Sequence, residues 1–372
     1  AAQALIDETG GPAPWAEATG TVPVASITAT KLRWLAENEP ENAARTAAVC
    51  LPHDWLSWRL AGFGPGSGAE GLANLRTDRS DASGTGYWAP STGRYLPDIL
   101  ERTLGHIPAL PHVLGPLETD LKTPSGALIG AGAGDNAAAA LGVNAGVGDV
   151  VISVGTSGTV FAVSGTPTAD KSGQVAGFAD ATGNFLPLVC TLNASRVLDA
   201  TARLLTIDLR ELSRLALSAA PGSGGLVLVP YFEGERTPNL PDASGSLHGI
   251  TLTNFTRGNV ARAAVEGVAC SLADGLAALT DLGVRVQRLI LVGGGARSEA
   301  LQEIIAAVFG LPVTVPEPGE YVADGAARQA TGLLTGRFPT WAVGRAQEIT
   351  AEPTPEVIKH YRTAARLATL QT

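Results

Sequence analysis

The stretch QRLILVGGGARSEALQEIIAAVFGLPVTV, residues 287–315, restricts the fold more than any other part of the chain. It reads as a strand over 289–292, a triple glycine, a helix and a second strand over 313–315. Ser298 is placed to cap the helix, Leu301, Ile304, Ile305 and Val308 form its inner face, and Gly310 stops it. A strand, helix, strand unit of this length closes as a right-handed crossover with parallel strands. The stretch VGDVVISVGTSGTVFAVS, residues 147–164, demands the opposite geometry. Its β-branched runs flank the turn Gly155, Thr156, Ser157, Gly158, which predicts an antiparallel hairpin. Parallel crossover and antiparallel hairpin together point to a mixed α/β sheet covered by helices. SRVLDATARLL and NVARAAVEGVACSLADGLAAL supply two of them; Val260, Ala264, Val268, Leu272, Leu276 and Leu279 are expected to form one buried stripe.

The earlier part of the chain is less regular. TKLRWLAENEPENAART predicts a helix broken at Pro40, HDWLSWRLAG puts Trp55, Leu56 and Leu60 at helical spacing, and FGPGSGAEG is expected to be an exposed loop. A chain of 372 residues is long enough for two domains. With 45% hydrophobic but only 5% aromatic residues, its cores must be built mainly from Ala, Val and Leu. No run approaches the roughly 18–20 apolar residues of a membrane span, and the first residues lack the pattern of a secretion signal. A net charge of −9 with dispersed Lys and Arg gives no basic stripe, which argues against nucleic acid and anionic lipid and for small-molecule partners. Cys50, Cys190 and Cys270, odd in number and widely spaced, are expected to be buried thiols in a reducing, cytoplasmic setting. No His and Cys spacing suggests a structural zinc or other protein-held metal.

Four motifs carry candidate chemistry. In GAGAGDNAAAALG, residues 130–142, small residues clear the space around Asp135, and the alanines after it predict a helix packed closely on a neighbour. Two readings are open: Asp135 presents a reactive carboxylate beside the amide of Asn136, or it is only the N-cap of the helix that follows. The tip Gly155-Thr156-Ser157-Gly158 offers amides and two hydroxyls to an anion, or is an ordinary polar turn. A nucleophile elbow is ruled out there, because a strand rather than a helix follows Ser157. Gly293-Gly294-Gly295 before Ser298 lets a nucleotide lie against bare backbone. A degenerate dinucleotide fingerprint, with Glu317 as its ribose-binding acid, is the rival. Last, PYFEGERTPNLPDASG reads as a rigid surface loop or a domain joint in which Arg236 assists a phosphate or makes a loop salt bridge among Glu233, Glu235 and Asp242.

Two stretches resemble the signatures of the FGGY carbohydrate kinases: SITATKLRWLAEN with Lys31 and Trp34, and GSLHGITLTNFTRGNVARAAVE with Gly249, Asn259 and Glu266. GDNAAAALG, VGTSGTV, PYFEGERTP and LVGGGARSE stand in the family's order, so the resemblance covers nearly the whole chain; HDWLSWRLAG and TDRSDASGTGYWAP look most like the xylulokinases. The resemblance implies two domains of the actin-like, ribonuclease-H-like kind. Residues 1–146 would be the remainder of an N-terminal sugar-binding domain and 147–372 a C-terminal ATP-binding domain. It further implies ATP-dependent phosphorylation of D-xylulose to D-xylulose 5-phosphate, with Asp135 as general base and Asn136 helping to hold the sugar. Gly155, Thr156, Ser157 and Gly158 would hold the ATP phosphates, Gly293, Gly294, Gly295 and Ser298 would border the adenosine, and Mg²⁺ would bridge phosphate oxygens. A homodimer is compatible with this family. The pattern departs at the front: the family's opening strand with its phosphate-facing loop, and a following His and Gln that contact the sugar, are not found. A truncated first domain is therefore expected, with a kinase for ribulose, gluconate or glycerol, or a non-catalytic nucleotide-binding fragment, as the alternatives.

Overall fold

A computed structural model describes residues 1–341 and 344–369. The chain forms two compact units and passes between them more than once. Unit 1 takes Ala1–Val147, Val163–Pro187 and a stretch beginning at Glu320; unit 2 takes Gly148–Ala162, Leu188–Gly319 and the C-terminal stretch. Each has its own core.

The sheet of unit 2 contains the hairpin and the crossover expected from the sequence. Its strands are β1 (Asp149–Val154), β2 (Gly158–Ala162), β3 (Phe185–Thr191, paired through its last four residues), β4 (Arg288–Val292), β5 (Val313–Pro316) and β6 (Ala346–Ile349). They lie in the order β6-β5-β4-β1-β2-β3. β1 runs antiparallel to β2 and parallel to β4, and β5 runs parallel to β4 and antiparallel to β6. Val150, Val151, Ile152 and Val154 are all fully buried, as an unbroken apolar strand must be when both faces of its sheet are covered. The crossover helix Glu299–Phe309 is capped by Ser298, whose side chain accepts from the Leu301 amide, and ends at Gly310 in the left-handed conformation.

The helix Arg257–Asp281 is enclosed more completely than one stripe would allow. All six stripe residues are buried, but so are Arg262 and Glu266 on the same helix. Their ion pair (2.7 Å) survives burial because Glu266 also accepts from the Gly222 amide and Ser223 hydroxyl, while Arg262 donates to the Ala216 and Ala219 carbonyls. By length and composition this helix could cross a membrane, contrary to the sequence reading, but 72% of its most apolar window is buried inside the protein. It is a core helix.

In unit 1 the alanine-rich helix Asp135–Gly142 lies directly on the helix Tyr321–Thr335. A methyl group on Gly142 would stand 1.9 Å from the Tyr321 carbonyl oxygen, and one on Gly325 would stand 1.9 Å from that of Ala138. Backbone meets backbone here. Buried Arg328 then covers the end of the first helix, donating to the carbonyl of Leu141, to Asn144 Oδ1 and to the Pro339 carbonyl.

HDWLSWRLAG forms the expected helix, Pro52–Leu60, but the residues that set its spacing do not face the core. Trp55, Leu56 and Leu60 are exposed, whereas Asp54 and Trp58 are buried. FGPGSGAEG is not wholly loop, since a short helix begins at Gly68 and Trp58 donates to the Gly71 carbonyl. Of the three cysteines, all free, only Cys270 is buried; Cys50 and Cys190 are half-buried.

Gly325→Ala should destabilise unit 1 by about 1–3 kcal/mol, because the colliding atom belongs to the backbone of the facing helix and cannot rotate away. Urea unfolding of the variant beside Gly165→Ala, at an exposed position without positive φ where a methyl group would come no closer than 3.9 Å to Val147 Cγ1, checks this.

Candidate active site

Unit 1 carries Asp135 at the first turn of its helix. The N-cap is Gly134, not Asp135, so capping does not account for the carboxylate. Its Oδ1 accepts from the amide nitrogen (2.8 Å) and side-chain Nδ2 (2.9 Å) of Asn136. Among the described residues Oδ2 accepts no hydrogen bond, and the side chain is exposed. An anion at this end of a helix is favoured by the unpaired amides and the helix dipole.

The loop leading into Asp135 is held from both sides. Gln329 exchanges two hydrogen bonds with the backbone of Gly132 (3.0 and 2.8 Å), and the Gly134 amide donates to Ser80 Oγ (2.9 Å). Behind the loop stands a group that sequence reading missed: His53, Asp54, Asp78 and Asp81. His53 Nδ1 pairs with Asp81 Oδ2, while Nε2 lies 3.3 Å from Asp54 Oδ1 and 3.6 Å from Asp78 Oδ2. Asp78 caps the helix Arg79–Ser83, accepting from the amides of Ser80 and Asp81. Only the motifs HDW and TDRSD hinted at these residues, and nothing in their spacing joins them.

Unit 2 brings the two glycine motifs to one pocket of about 1070 Å³. Gly155 and Thr156 line it from the hairpin tip, and Gly294, Gly295 and Ser298 line it from the crossover. Ser157, Gly158 and Gly293 do not line this pocket, but they shape it. The amides and hydroxyls of Thr156 and Ser157 meet no acceptor among the described residues, whereas the Gly155 amide is occupied by the Ser157 carbonyl (3.0 Å). The three glycines divide their work. Gly293 has φ +90° and a methyl there would meet the Val154 carbonyl oxygen at 2.6 Å; on Gly295 it would meet Val154 Cγ1 at 2.5 Å. Around Gly294 there is open space. Two glycines therefore seat the turn on the end of β1, and the third leaves backbone bare to the pocket. Ser195, Asp199 and Arg214, from helices whose chemistry the sequence did not advertise, complete the lining.

The loop 230–245 is less superficial than its composition suggests. Glu235 is 1% exposed and accepts from the Leu192 amide (2.6 Å), Asn193 Nδ2 (3.0 Å) and its neighbour's amide at Arg236 (2.8 Å). Burial pushes its carboxyl above the usual range against the pull of these donors. The turn it clamps delivers the Ser195 amide to the Gly155 carbonyl (3.0 Å). Arg236 does not line the pocket, and the loop's salt bridge joins Glu233 to Arg196 instead. The strand partners also count against the dinucleotide reading, because the glycine-rich crossover adjoins an antiparallel hairpin and not a run of parallel strands.

Residues 2–142 match the profile of the FGGY family of carbohydrate kinases, N-terminal domain, and residues 150–332 match that of its C-terminal domain. The chain belongs to the FGGY family of carbohydrate kinases. Both domains of this two-domain, actin-like and ribonuclease-H-like α/β fold are represented, and the expected truncation of the first is not shown by these matches. Among its FGGY relatives, the xylulose kinase of Streptomyces rubiginosus is 46% identical over 95% of this chain and 71% of its own length. That of Streptomyces coelicolor is 45% identical over 96% and 72%. The crystal structure of xylulose kinase from Bifidobacterium adolescentis superposes with a TM-score of 0.88 at 47% identity, covering 95% of this chain and 75% of that one. ATP is the phosphoryl donor of this kinase family.

Gly294→Ala should leave the melting temperature unchanged and weaken ATP binding at least several-fold, whereas Gly293→Ala should lower the melting temperature. Calorimetric titration with ATP beside thermal unfolding separates the two effects.

Proposed function

We propose that this kinase transfers the terminal phosphoryl group of ATP to D-xylulose, giving D-xylulose 5-phosphate. Identity of 45–46% to two xylulose kinases over nearly the whole chain supports the sugar. The observation that carries the chemistry is Asp135: an exposed carboxylate in a glycine-cleared loop, with one oxygen anchored by Asn136.

In this reading Asp135 is the general base. Oδ1 is held by its neighbour, and Oδ2 takes the proton of the sugar's terminal hydroxyl as the oxygen attacks phosphorus. Asn136 adds a polar contact to the sugar. Unit 1 thus holds the acceptor and unit 2 the nucleotide. Thr156 and Ser157 direct uncommitted amides and hydroxyls at the phosphate oxygens, with Gly155 and Gly158 setting the turn. Gly294, Gly295 and Ser298 border the adenosine, and Gly293 acts with them by seating their turn on the end of β1. Phosphoryl transfer depends on alignment and on stabilising charge on the phosphate oxygens, so fixed donors suit it.

An exposed, unneutralised carboxylate also fits Mg²⁺, which binds few protein oxygens and keeps water and phosphate as its other ligands. Asp135 would hold the ion through water, and the ion would supply charge neutralisation at the phosphates.

Asp135→Asn should lower kcat with D-xylulose by about 10²–10⁴-fold, the usual worth of a general base, while ADP affinity and folding stay intact. Steady-state ADP release and calorimetric ADP binding measure both. Turnover near that of the unaltered enzyme would overturn the assignment of the base.

A further inference from the structure

The aspartates behind the loop 130–135 are an unusual thing to bury. Asp54 is 1% and Asp78 4% exposed, and Asp54 Oδ1 and Asp78 Oδ2 have no hydrogen-bond donor. No lysine or arginine among the described residues pairs with Asp54, Asp78 or Asp81. A buried carboxylate without a compensating charge is costly, and three facing one another repel. His53 is the one group whose position answers this.

Both ring nitrogens of His53 face carboxylates: Nδ1 meets Asp81, and Nε2 stands between Asp54 and Asp78. A neutral imidazole would turn a lone pair on one side of the ring toward an anion; only the imidazolium presents N–H groups on both. Ligating atoms of His53, Asp78 and Asp81 fall within 4.8 Å of one another, a spacing that also suits a metal ion. The direct contact of Nδ1 with Asp81 leaves no room for an ion between that pair.

This charge cluster is the floor of the catalytic loop. A methyl group on Gly132 would stand 3.1 Å from His53 Nε2, and one on Gly134 2.8 Å from Asp81 Oδ1, so the loop backbone rests on the His53–Asp81 pair. The same cluster holds the loop by a hydrogen-bonded chain: Asp78 Oδ1 accepts from Ser80 Oγ, which accepts from the Gly134 amide next to Asp135.

We propose that His53 is a positioning residue for Asp135: its imidazolium offsets the mutual repulsion of Asp54, Asp78 and Asp81 by standing between them, and thereby holds the loop 132–134 in the shape that aims the base at the sugar. The inference rests on Asp135 being that base. Loss of the imidazolium charge sets three aspartates against each other beneath the loop, and turnover falls while nucleotide binding in unit 2 is untouched.

The electrostatics agree. Burial opposes the charge on His53, but the hydrogen bond to Asp81 and the charges of Asp54, Asp78 and Asp81 outweigh it and raise the group to about 9. The raised value means that the imidazolium is present below about 9 and is lost as pH rises through it. Cys50 stands near Asp54; burial and that carboxylate push its thiol to about 11. Tyr87 and Tyr95, also near Asp54, are pushed up chiefly by burial. The glycine loop and Gln329 bring no titratable group, so none of these competes with His53 near pH 9.

The test compares His53→Gln, which removes the charge, with His53→Lys, which restores a cation that cannot replace imidazole as a metal ligand. We expect His53→Gln to lower kcat at pH 7.5 about 10- to 100-fold, the scale of a base displaced by about an ångström, with ADP affinity unchanged. His53→Lys should recover most of that loss. The native enzyme should lose kcat as pH rises through about 9 with its circular dichroism unchanged, and His53→Lys should keep its activity there. This pH comparison stands even if His53→Gln does not fold. The inference is overturned if Asp135→Asn is inactive but His53→Gln turns over like the native enzyme, or if His53→Lys shares the native alkaline loss. An active Asp135→Asn variant instead removes the reading of Asp135 on which it rests.

Discussion

The contact of two helix backbones, Asp135–Gly142 against Tyr321–Thr335, is the constraint on which the rest of unit 1 depends. It exists because Gly142 and Gly325 have no side chains and the intervening residues are mostly alanines. Dense packing without bulk makes a rigid platform, since neither helix can shift without opening a void or striking a carbonyl. The same helix that supplies Gly325 supplies Gln329, which pins Gly132, and Arg328, which caps the far end. Asp135 is thus fixed by a partner nearly two hundred residues away in sequence. Its own neighbours contribute mainly by being small.

A comparable economy operates in unit 2. Close approach of Gly293 and Gly295 to Val154 locks the crossover turn to the strand that leads into the hairpin tip, so both pocket motifs refer to the end of one buried strand. Glu235 steadies the remaining side by clamping the turn before Ser195. Burying a carboxylate for this purpose is tolerable because three donors converge on it. The two units share a logic: small residues set the backbone, and buried acidic groups, Glu235 in unit 2 and Asp78 in unit 1, hold the adjoining turns.

What was legible in the sequence was what is local. Alternation and β-branching disclosed β1 and β2, and the cap at Ser298 and stop at Gly310 disclosed the crossover helix, because each depends on residues within a few positions of one another. The glycine motifs were also readable as places for close approach, although nothing local said which of Gly293, Gly294 and Gly295 packs and which faces the pocket. Hydrophobic periodicity found the helix Pro52–Leu60 but not its buried face, where Asp54 meets the His53 cluster and Trp58 reaches Gly71. The cluster itself was invisible: His53, Asp78 and Gly132 come together only through tertiary packing, and an Asp beside a His is ordinary on a surface helix. Glu235 was misread for the same reason, its Pro and Gly neighbours being those of an exposed loop.

The central claim is that these parts together make a kinase for D-xylulose. It is tested most directly by measuring ADP release from MgATP with D-xylulose, D-ribulose, L-ribulose, glycerol and gluconate offered separately at matched concentrations. The account predicts that D-xylulose gives the largest kcat/KM, by about tenfold or more, the worth of one well-placed hydrogen bond to a charged group. Preference for another acceptor would contradict the sugar assignment, and ATP binding without stimulated ADP release by any of the five would contradict catalysis by this chain.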